Sequence, residues 1–386
     1  MENKSENLKM IEFLDGNEAI VRGAIDAGCK FFAGYPITPA TPILLGMMQE
    51  LPKVGGFAIQ AEDEIASIGF CIGASMAGKK AMTATSGPGI SLYSENIGLA
   101  IMGETPLVIV DVQRQGPATG SATKDGQGDI QFIRWGTSGG YPIIAISPTT
   151  VEECYTFTIY AFNLAEIFRV PVFLVSSKEL SMTRQRIDWS KVEKPEIINR
   201  KYLPENASEY KPYYFEKIDD IPLFSPFGGE HIVRYTTSTH DEYGNLLTTP
   251  EKIQIMMEHL DKKISEEKVK KFFPHAVKFD PQDGAETLVI SYGITARSTI
   301  EAVELARSQG VKVSNLIINL LWPVPENEIK KATQNIRRII FPEMNNGQYV
   351  LEIERIVDKS KIEIVRINQM DTTLINPKKI LSEILK

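Results

Sequence analysis

Two kinds of segment alternate along the first half of the chain. Leu107-Val108-Ile109-Val110-Asp111-Val112 is apolar at every position but one, the pattern of a strand buried on both faces of a parallel sheet. Shorter runs of the same character occupy residues 29–34, 57–60, 80–85, 143–146 and 170–176. Between them, apolar residues recur at helical spacing over residues 16–27, 41–50, 64–77, 91–102 and 151–168, which predicts amphipathic or buried helices. Two strands run directly into breakers, Tyr35-Pro36-Ile37-Thr38-Pro39 and Ser86-Gly87-Pro88-Gly89, which mark turns. Strands alternating with helices in this way predict a doubly wound α/β domain.

The pattern changes near Arg184. Residues 185–280 are rich in Lys, Glu, Asp, Pro and Tyr and carry few buried-strand runs, apart from a charged surface helix expected at 250–271. Periodicity resumes with a strand at 287–292, a helix at 296–309, a strand at 312–318, a helix ending near 335 and a strand at 338–342. The expected division is therefore a first α/β domain over 1–184, a linker or insertion over 185–280 and a smaller α/β domain over 281–386.

Composition narrows the chemistry. The 386 residues carry a formal charge of -7, which argues against a broad nucleic-acid surface. No apolar run is long enough for a membrane helix, and the start lacks a basic-then-apolar signal, so the cytoplasm is the expected compartment. Cys29, Cys71 and Cys154 are scattered, without a C-x-x-C pair, so a complete iron–sulfur cluster or zinc ribbon held by this chain alone is not expected. The four histidines begin at His231. Chemistry in the first domain must then use carboxylates, hydroxyls, Arg, Lys or a cofactor.

Each candidate residue has an ordinary structural reading beside the functional one. Gly73-Ala74-Ser75-Met76-Ala77-Gly78-Lys79-Lys80 nearly spells a phosphate loop. However, Lys80 stands where a hydroxyl is needed and the glycines fall in or at the end of a helix, so helix packing explains them better. Glu62-Asp63-Glu64 precedes a helix, where acidic residues are common; even so, Glu64 opens a buried-looking stretch and suits proton exchange with a heterocycle. Thr38 is presented by a stiff Pro-flanked turn at a strand's carboxyl end, though the turn can be structural only. Arg114 follows the most apolar strand and leads a Gly-, Ser- and Thr-rich loop containing Thr119 and Lys124, which can close on an anionic substrate or be plain surface. His240, in Thr239-His240-Asp241-Glu242, fits a surface or hinge residue better than a catalyst.

These pieces, in this order, resemble the α subunit of the 2-oxoacid:ferredoxin oxidoreductase family, in its 2-oxoglutarate branch. The resemblance runs from Asp15-Gly16-Asn17-Glu18-Ala19 through Gly34-Tyr35-Pro36-Ile37-Thr38-Pro39, Glu62-Asp63-Glu64-Ile65, Thr83-Ala84-Thr85-Ser86-Gly87-Pro88-Gly89 and Asp111-Val112-Gln113-Arg114 to Leu321-Trp322-Pro323 and Asn346-Gly347-Gln348-Tyr349. It implies a pyrimidine-binding-like domain of a thiamine diphosphate enzyme followed by a domain similar to the transketolase C-terminal one. It also implies oxidative decarboxylation of 2-oxoglutarate with coenzyme A and transfer of electrons to ferredoxin.

By the same resemblance, Glu64 is the carboxylate on N1′ of the aminopyrimidine, and Pro36, Ile37 and Thr38 border the cofactor. Thr38, Arg114, Thr119 and Lys124 (or Arg134) would meet the substrate. A β subunit is expected to hold the diphosphate, Mg²⁺ and the [4Fe-4S] cluster, in αβ pairs forming a heterotetramer, with γ and δ ferredoxin-like subunits in some relatives. The absence of a G-D-G run and of a cysteine cluster here agrees with that division. Ala118 and Ala122 depart from the family's Ser and Pro in the substrate loop, so branched-chain 2-oxoacids or pyruvate stay open as substrates. A non-catalytic docking subunit is the reading from a different class.

Overall fold

The computed structural model of the chain describes residues 10–386. In chain order the first part contains β1 (Ile11–Leu14), α1 (Gly16–Asp26), β2 (Phe31–Gly34), α2 (Thr41–Glu50), β3 (Phe57–Gln60), α3 (Glu64–Met76), β4 (Ala81–Thr85), α4 (Gly87–Leu92) and α5 (Ser94–Met102). It continues with β5 (Leu107–Gln113), α6 (Ile130–Trp135), β6 (Ile144–Ile146), α7 (Val151–Phe168), β7 (Pro171–Ser177), α8 (Lys178–Met182) and β8 (Gln185–Asp188). After a long irregular segment come α9 (Pro250–Lys262), α10 (Glu266–Phe272), β9 (Val277–Asp280), β10 (Thr287–Tyr292), α11 (Thr295–Ser308), β11 (Val313–Ile318) and β12 (Leu320–Trp322). The chain closes with α12 (Glu326–Ala332), β13 (Arg338–Glu343), α13 (Val350–Ile356), β14 (Glu363–Asn368) and α14 (Pro377–Ile384).

Seven strands form the main sheet in the order β3-β2-β4-β5-β7-β6-β12. All its neighbours are parallel except β12, which runs antiparallel to β6. Strand β5 is buried throughout and its side chains divide by parity. Val108, Val110 and Val112 join Ala19, Ile20 and Phe157 of α1 and α7 on one face, while Leu107 and Ile109 join Ile68, Ile97 and Ile101 of α3 and α5 on the other. The doubly wound expectation is met for that reason: both faces of the central strand must be covered. A second sheet, β14-β13-β10-β11-β9, is parallel except for β9 against β11. Its Leu288, Ile290 and Leu316 contribute to the same apolar cluster as Ile109.

Local sequence sets the helix starts. Asp15 and Glu18 form a capping box on α1, each side chain taking the other's backbone N–H at 2.9 and 3.0 Å. The Asp63 carboxylate caps α3 by accepting from Ala66 N at 2.7 Å.

Several elements differ from the sequence reading. The helix expected at 91–102 begins at Gly87 and divides at Tyr93 into α4 and α5. The helix expected over 250–271 is two helices, because Ser265 interrupts it and caps α10 by accepting from Lys268 N. Strand β9, within the stretch assigned to the insertion, belongs to the second sheet, and β12, from the C-terminal part, completes the first. Strands β1 and β8 pair antiparallel to each other.

Residues 189–249 contain no helix or strand beyond isolated bridges, yet much of this segment lies against the core. Two buried arginines make that tolerable by bonding groups that burial strips of water. The Arg169 guanidinium donates to the carbonyls of Glu104, Pro212, Pro222 and Leu223 at 3.0–3.2 Å. Arg200 pairs with Glu166 and donates to Ser75 O at 2.9 Å.

Candidate functional site

In an open α/β sheet, ligands lodge beyond the carboxyl ends of the strands where the winding direction reverses. Here β2 leads outward to β3, and β4 lies on its other side and leads to β5. The reversal point is thus the crevice between the ends of β2 and β4. Thr38 follows β2, Glu64 follows β3, the Ser86–Gly89 breaker follows β4 and Arg114 follows β5, so three sequence candidates and this breaker arrive at one edge from four adjacent strands.

Glu64 is the first residue of α3 and is 6% exposed. The cap bond at this helix start is made by Asp63, and the Glu64 carboxylate has no donor of its own among the described residues. Opposite it the backbone of Gly89 comes close. A Cβ there would lie 1.9 Å from Thr85 Oγ1 and 2.9 Å from Glu64 Cγ, so only glycine permits this approach. The result is a buried acidic group beside bare backbone at the crevice.

Thr38 and Arg114 are directly joined. Arg114 Nη1 donates to Thr38 O at 2.8 Å, and its Nη2 donates to Thr119 O at 3.2 Å. Arg114 is 6% exposed, and its Nε is buried without a partner. From the other side Asn17 Nδ2 donates to Pro39 O at 3.1 Å. The turn expected to be stiff is therefore held at both flanks. Pro36 is exposed and Ile37 packs partly on the core. The Thr119 and Lys124 side chains are exposed; Lys124 is tied into the loop through its backbone, its carbonyl accepting from Gln115 N at 2.9 Å.

The far end of this loop is clamped to the C-terminal part of the chain. Gln127 N donates to Met344 O at 2.8 Å, and its Oε1 accepts from Thr295 Oγ1 and Met344 N, each at 3.1 Å. Asn345 Nδ2 donates to Gln127 O at 2.8 Å. Between these loops lies a cavity of about 420 Å³ bordered by Gly87, Gln115, Pro117, Asp129, Asn345 and Gln348.

Three buried carboxyl groups that the sequence reading passed over lie on β5 and in the loop that follows it. Burial pushes Asp111 well above the usual carboxylate range, and the Asp129 charge beside it adds to the effect. Asp129 is raised by burial to about 6, with the neighbouring Asp111 and Gln113 side chains and the Arg114 charge opposing. Burial and the Glu179 charge bring Asp125 to about 7. The sequence did carry a signal for Asp111, since a lone acid inside a fully buried strand calls for an explanation.

Other candidates lie elsewhere. Arg134 Nη1 donates to the carbonyls of Gly140 and Tyr141 at 2.8 and 2.9 Å, and its guanidinium stacks 4.0 Å from the Trp135 ring centroid. Lys80 donates to Ala27 O and Ile198 O, and Gly73 is inside α3, so the near phosphate loop is part of the helix packing. His240 is buried against Tyr213, ring centroids 3.9 Å apart, with Nδ1 on Ser238 O. It lines a cavity that includes Glu104, just ahead of β5 and so at the opposite edge of the sheet. The three cysteines are all buried and unpaired. Among the described residues no cluster of three or more His, Cys, Asp or Glu side chains could hold a metal, and no helix is long and apolar enough to cross a membrane.

Comparison with known proteins follows the same lines. Residues 22–259 match the family described as pyruvate flavodoxin/ferredoxin oxidoreductase, thiamine diphosphate-binding, and residues 285–380 match pyruvate:ferredoxin oxidoreductase core domain II. The 2-oxoglutarate synthase subunit KorA of Methanocaldococcus jannaschii is 42% identical over 376 residues, covering 97% of this chain and 99% of that protein. The ketoisovalerate oxidoreductase subunit VorB of Methanothermobacter thermautotrophicus is 32% identical over 374 residues, 97% of each chain. Among solved structures, the 2-oxoglutarate:ferredoxin oxidoreductase from Magnetococcus marinus, with 2-oxoglutarate, coenzyme A and succinyl-CoA bound, superposes with a TM-score of 0.90 at 34% identity. That match covers 97% of this chain, which spans 65% of the length of that one. The expected family and fold class are thereby established: this chain belongs to the 2-oxoacid:ferredoxin oxidoreductase family and carries its thiamine diphosphate-binding domain followed by its core domain II.

Proposed function

We propose that the chain is the α subunit of a 2-oxoglutarate:ferredoxin oxidoreductase, a cytoplasmic enzyme converting 2-oxoglutarate and coenzyme A to succinyl-CoA and CO₂ with electrons passed to ferredoxin. The observation that carries the reading is full-length similarity to a 2-oxoglutarate synthase subunit, 10 percentage points of identity above the ketoisovalerate subunit (42 against 32, over nearly the same span). The pyruvate and branched-chain alternatives belong to the same chemistry, and a substrate panel separates them.

The site's residues fit thiamine diphosphate. A buried carboxylate without a donor of its own, beside a backbone cradle that a Cβ would fill, suits an aminopyrimidine nitrogen next to a flat ring. When bound, the cofactor supplies a carbon nucleophile toward the 2-keto group. Glu64 acts as the proton-holding group at the aminopyrimidine N1′, in a domain where no histidine is needed for that task. Thr38, preceded by Pro36 and Ile37, would border the reacting end of the crevice. Arg114 can release the carbonyls of Thr38 and Thr119 and grip a carboxylate of the substrate with both Nη groups. Thr119 and Lys124 border the more exposed end of the loop, where the second carboxylate of a dicarboxylate would lie.

The family resemblance suggests the subunit arrangement, and the lack of a cysteine cluster in the sequence agrees with it. A β subunit would bind the diphosphate with Mg²⁺ and hold the [4Fe-4S] cluster, in αβ pairs assembling as a heterotetramer, with γ or δ ferredoxin-like subunits where present. The complex copurified through this chain is expected to reduce a viologen dye only when 2-oxoglutarate and coenzyme A are both supplied. A complex inert toward every 2-oxoacid, or unaffected by Glu64→Gln, would leave the chain as a docking subunit.

A further inference from the structure

Beneath the substrate loop two acids meet with nothing else to bond. Asp111 is fully buried near the end of β5, and neither of its carboxylate oxygens has a donor among the described residues. Asp129, from the loop before α6, faces it, with Oδ2 enclosed and unpartnered. Asp129 Oδ1 lies 2.9 Å from the place where a Cβ on Gly87 would stand, so the pair underlies the segment that follows β4. Two carboxylates in contact repel, and they can hydrogen-bond each other only when one carries a proton. The Gln113 amide beside them is uncharged, Gly87 brings no charge, and Arg114 is the cation that faces Asp129. Asp125, on the same loop, faces Lys178 and Glu179 at α8 instead. Arg114 gives its bonds to carbonyls, not to this pair, which leaves it a counter-charge at a distance and donors free for an anion.

We propose that Asp111 and Asp129 share a proton and serve as an adjustable counter-charge for Arg114, positioning residues that set how tightly the anionic substrate is held as pH changes. This rests on Arg114 as the group that grips the substrate carboxylate. With two protons the pair is neutral and the Arg114 charge is unopposed; with one it is singly negative and offsets that charge. Because Asp129 ionises at about 6, the first proton leaves as pH rises through that region. Affinity for the anion is therefore higher below it and lower above it.

The test uses the intact complex. KM and kcat for 2-oxoglutarate are measured across about pH 5 to 8, alongside infrared difference spectra of the same preparations. In the unaltered complex KM is expected to rise with pH by up to about tenfold, the effect of a one-unit coupling, and Asp129→Asn is expected to flatten that rise with little change in kcat. A protonated-carboxyl band at neutral pH is expected to disappear in Asp111→Asn and to shift in frequency in Asp129→Asn, where Asp111 stays buried but loses its carboxylate partner. Absence of the band in the unaltered complex overturns the shared proton. A band that behaves as expected, with a KM profile unchanged by Asp129→Asn, overturns the counter-charge role. Arg114→Gln separates the two readings: an unaltered KM in that variant removes Arg114 from substrate binding, whereas a raised KM together with an unchanged Asp129→Asn profile removes only the pair.

Discussion

At the scale of single residues, what matters at this site is burial without partners. Glu64 is enclosed and lacks a donor, whereas the buried acid of the opposite edge is fully engaged. Burial works against ionisation of Glu104, yet Lys263 at 3.0 Å and His259 at 3.3 Å outweigh it and hold the carboxyl well below its usual range. The two acids should respond differently to substitution. Glu64→Gln is expected to lower kcat by about 10²–10⁴-fold, the usual contribution of a placed proton-transfer group, without changing thermal stability or assembly. Lys263→Met should instead cost about 3–5 kcal/mol of stability, because it leaves a charge buried with too little compensation, and should spare kcat in whatever complex remains folded. For Glu104→Gln the sign of the pH effect is set by a folded value below the unfolded one. Its deficit in thermal midpoint should be constant at neutral pH and narrow as pH falls below about 4.5, where the unfolded chain begins to bind the proton. Arg114→Gln should raise KM for 2-oxoglutarate by about 10–100-fold, as expected for losing charge-assisted bonds of about 1.5–3 kcal/mol.

At the scale of elements, the meeting of Glu64, Thr38 and Arg114 at one edge was legible because each lies in the turn after a strand or opens the helix beyond one, and parallel sheets gather those positions. Asp129 was not legible, since its neighbour in space, Asp111, is on β5 and nothing in a Gly-rich loop announces that contact. Lys124 was read as a substrate cation from its loop alone; its side chain is exposed, as that reading needs, while its backbone closes the turn. The merging of α4 and α5 into one expected helix has a local cause as well. Gly87-Pro88-Gly89 resembles a breaker, but Pro88 stands in the first turn of α4, where its missing N–H costs nothing. The close approach at Gly89 then gives a sharp test. Gly89→Ala forces its Cβ onto Thr85 Oγ1 and should weaken thiamine diphosphate binding by about tenfold or more, in line with overpacking costs of about 1–3 kcal/mol. Adding Thr85→Ala should recover part of that loss in a cofactor titration followed by intrinsic fluorescence.

At the scale of the whole molecule, the sequence suggested separable parts and the structure ties them together. Strand β12 leaves the second unit to finish the first sheet, and Gln127 binds the substrate loop to the segment after β13. Such couplings join residues far apart in sequence, and hydrophobic periodicity carries no record of them. The irregular 189–249 segment was legible only as a change of composition, because its order depends on Arg169 reaching its carbonyls and on its own Arg200 binding Glu166 and Ser75 O. The loops proposed to meet 2-oxoacid and cofactor are thus held by both units at once.

The most direct test of this account is the ratio of kcat/KM for 2-oxoglutarate to that for pyruvate and for 2-oxoisovalerate, measured as coenzyme A-dependent viologen reduction by the copurified complex. The account expects 2-oxoglutarate to be preferred by at least about tenfold, a difference of about 1.4 kcal/mol in transition-state binding. Equal or greater efficiency with the monocarboxylates would contradict it.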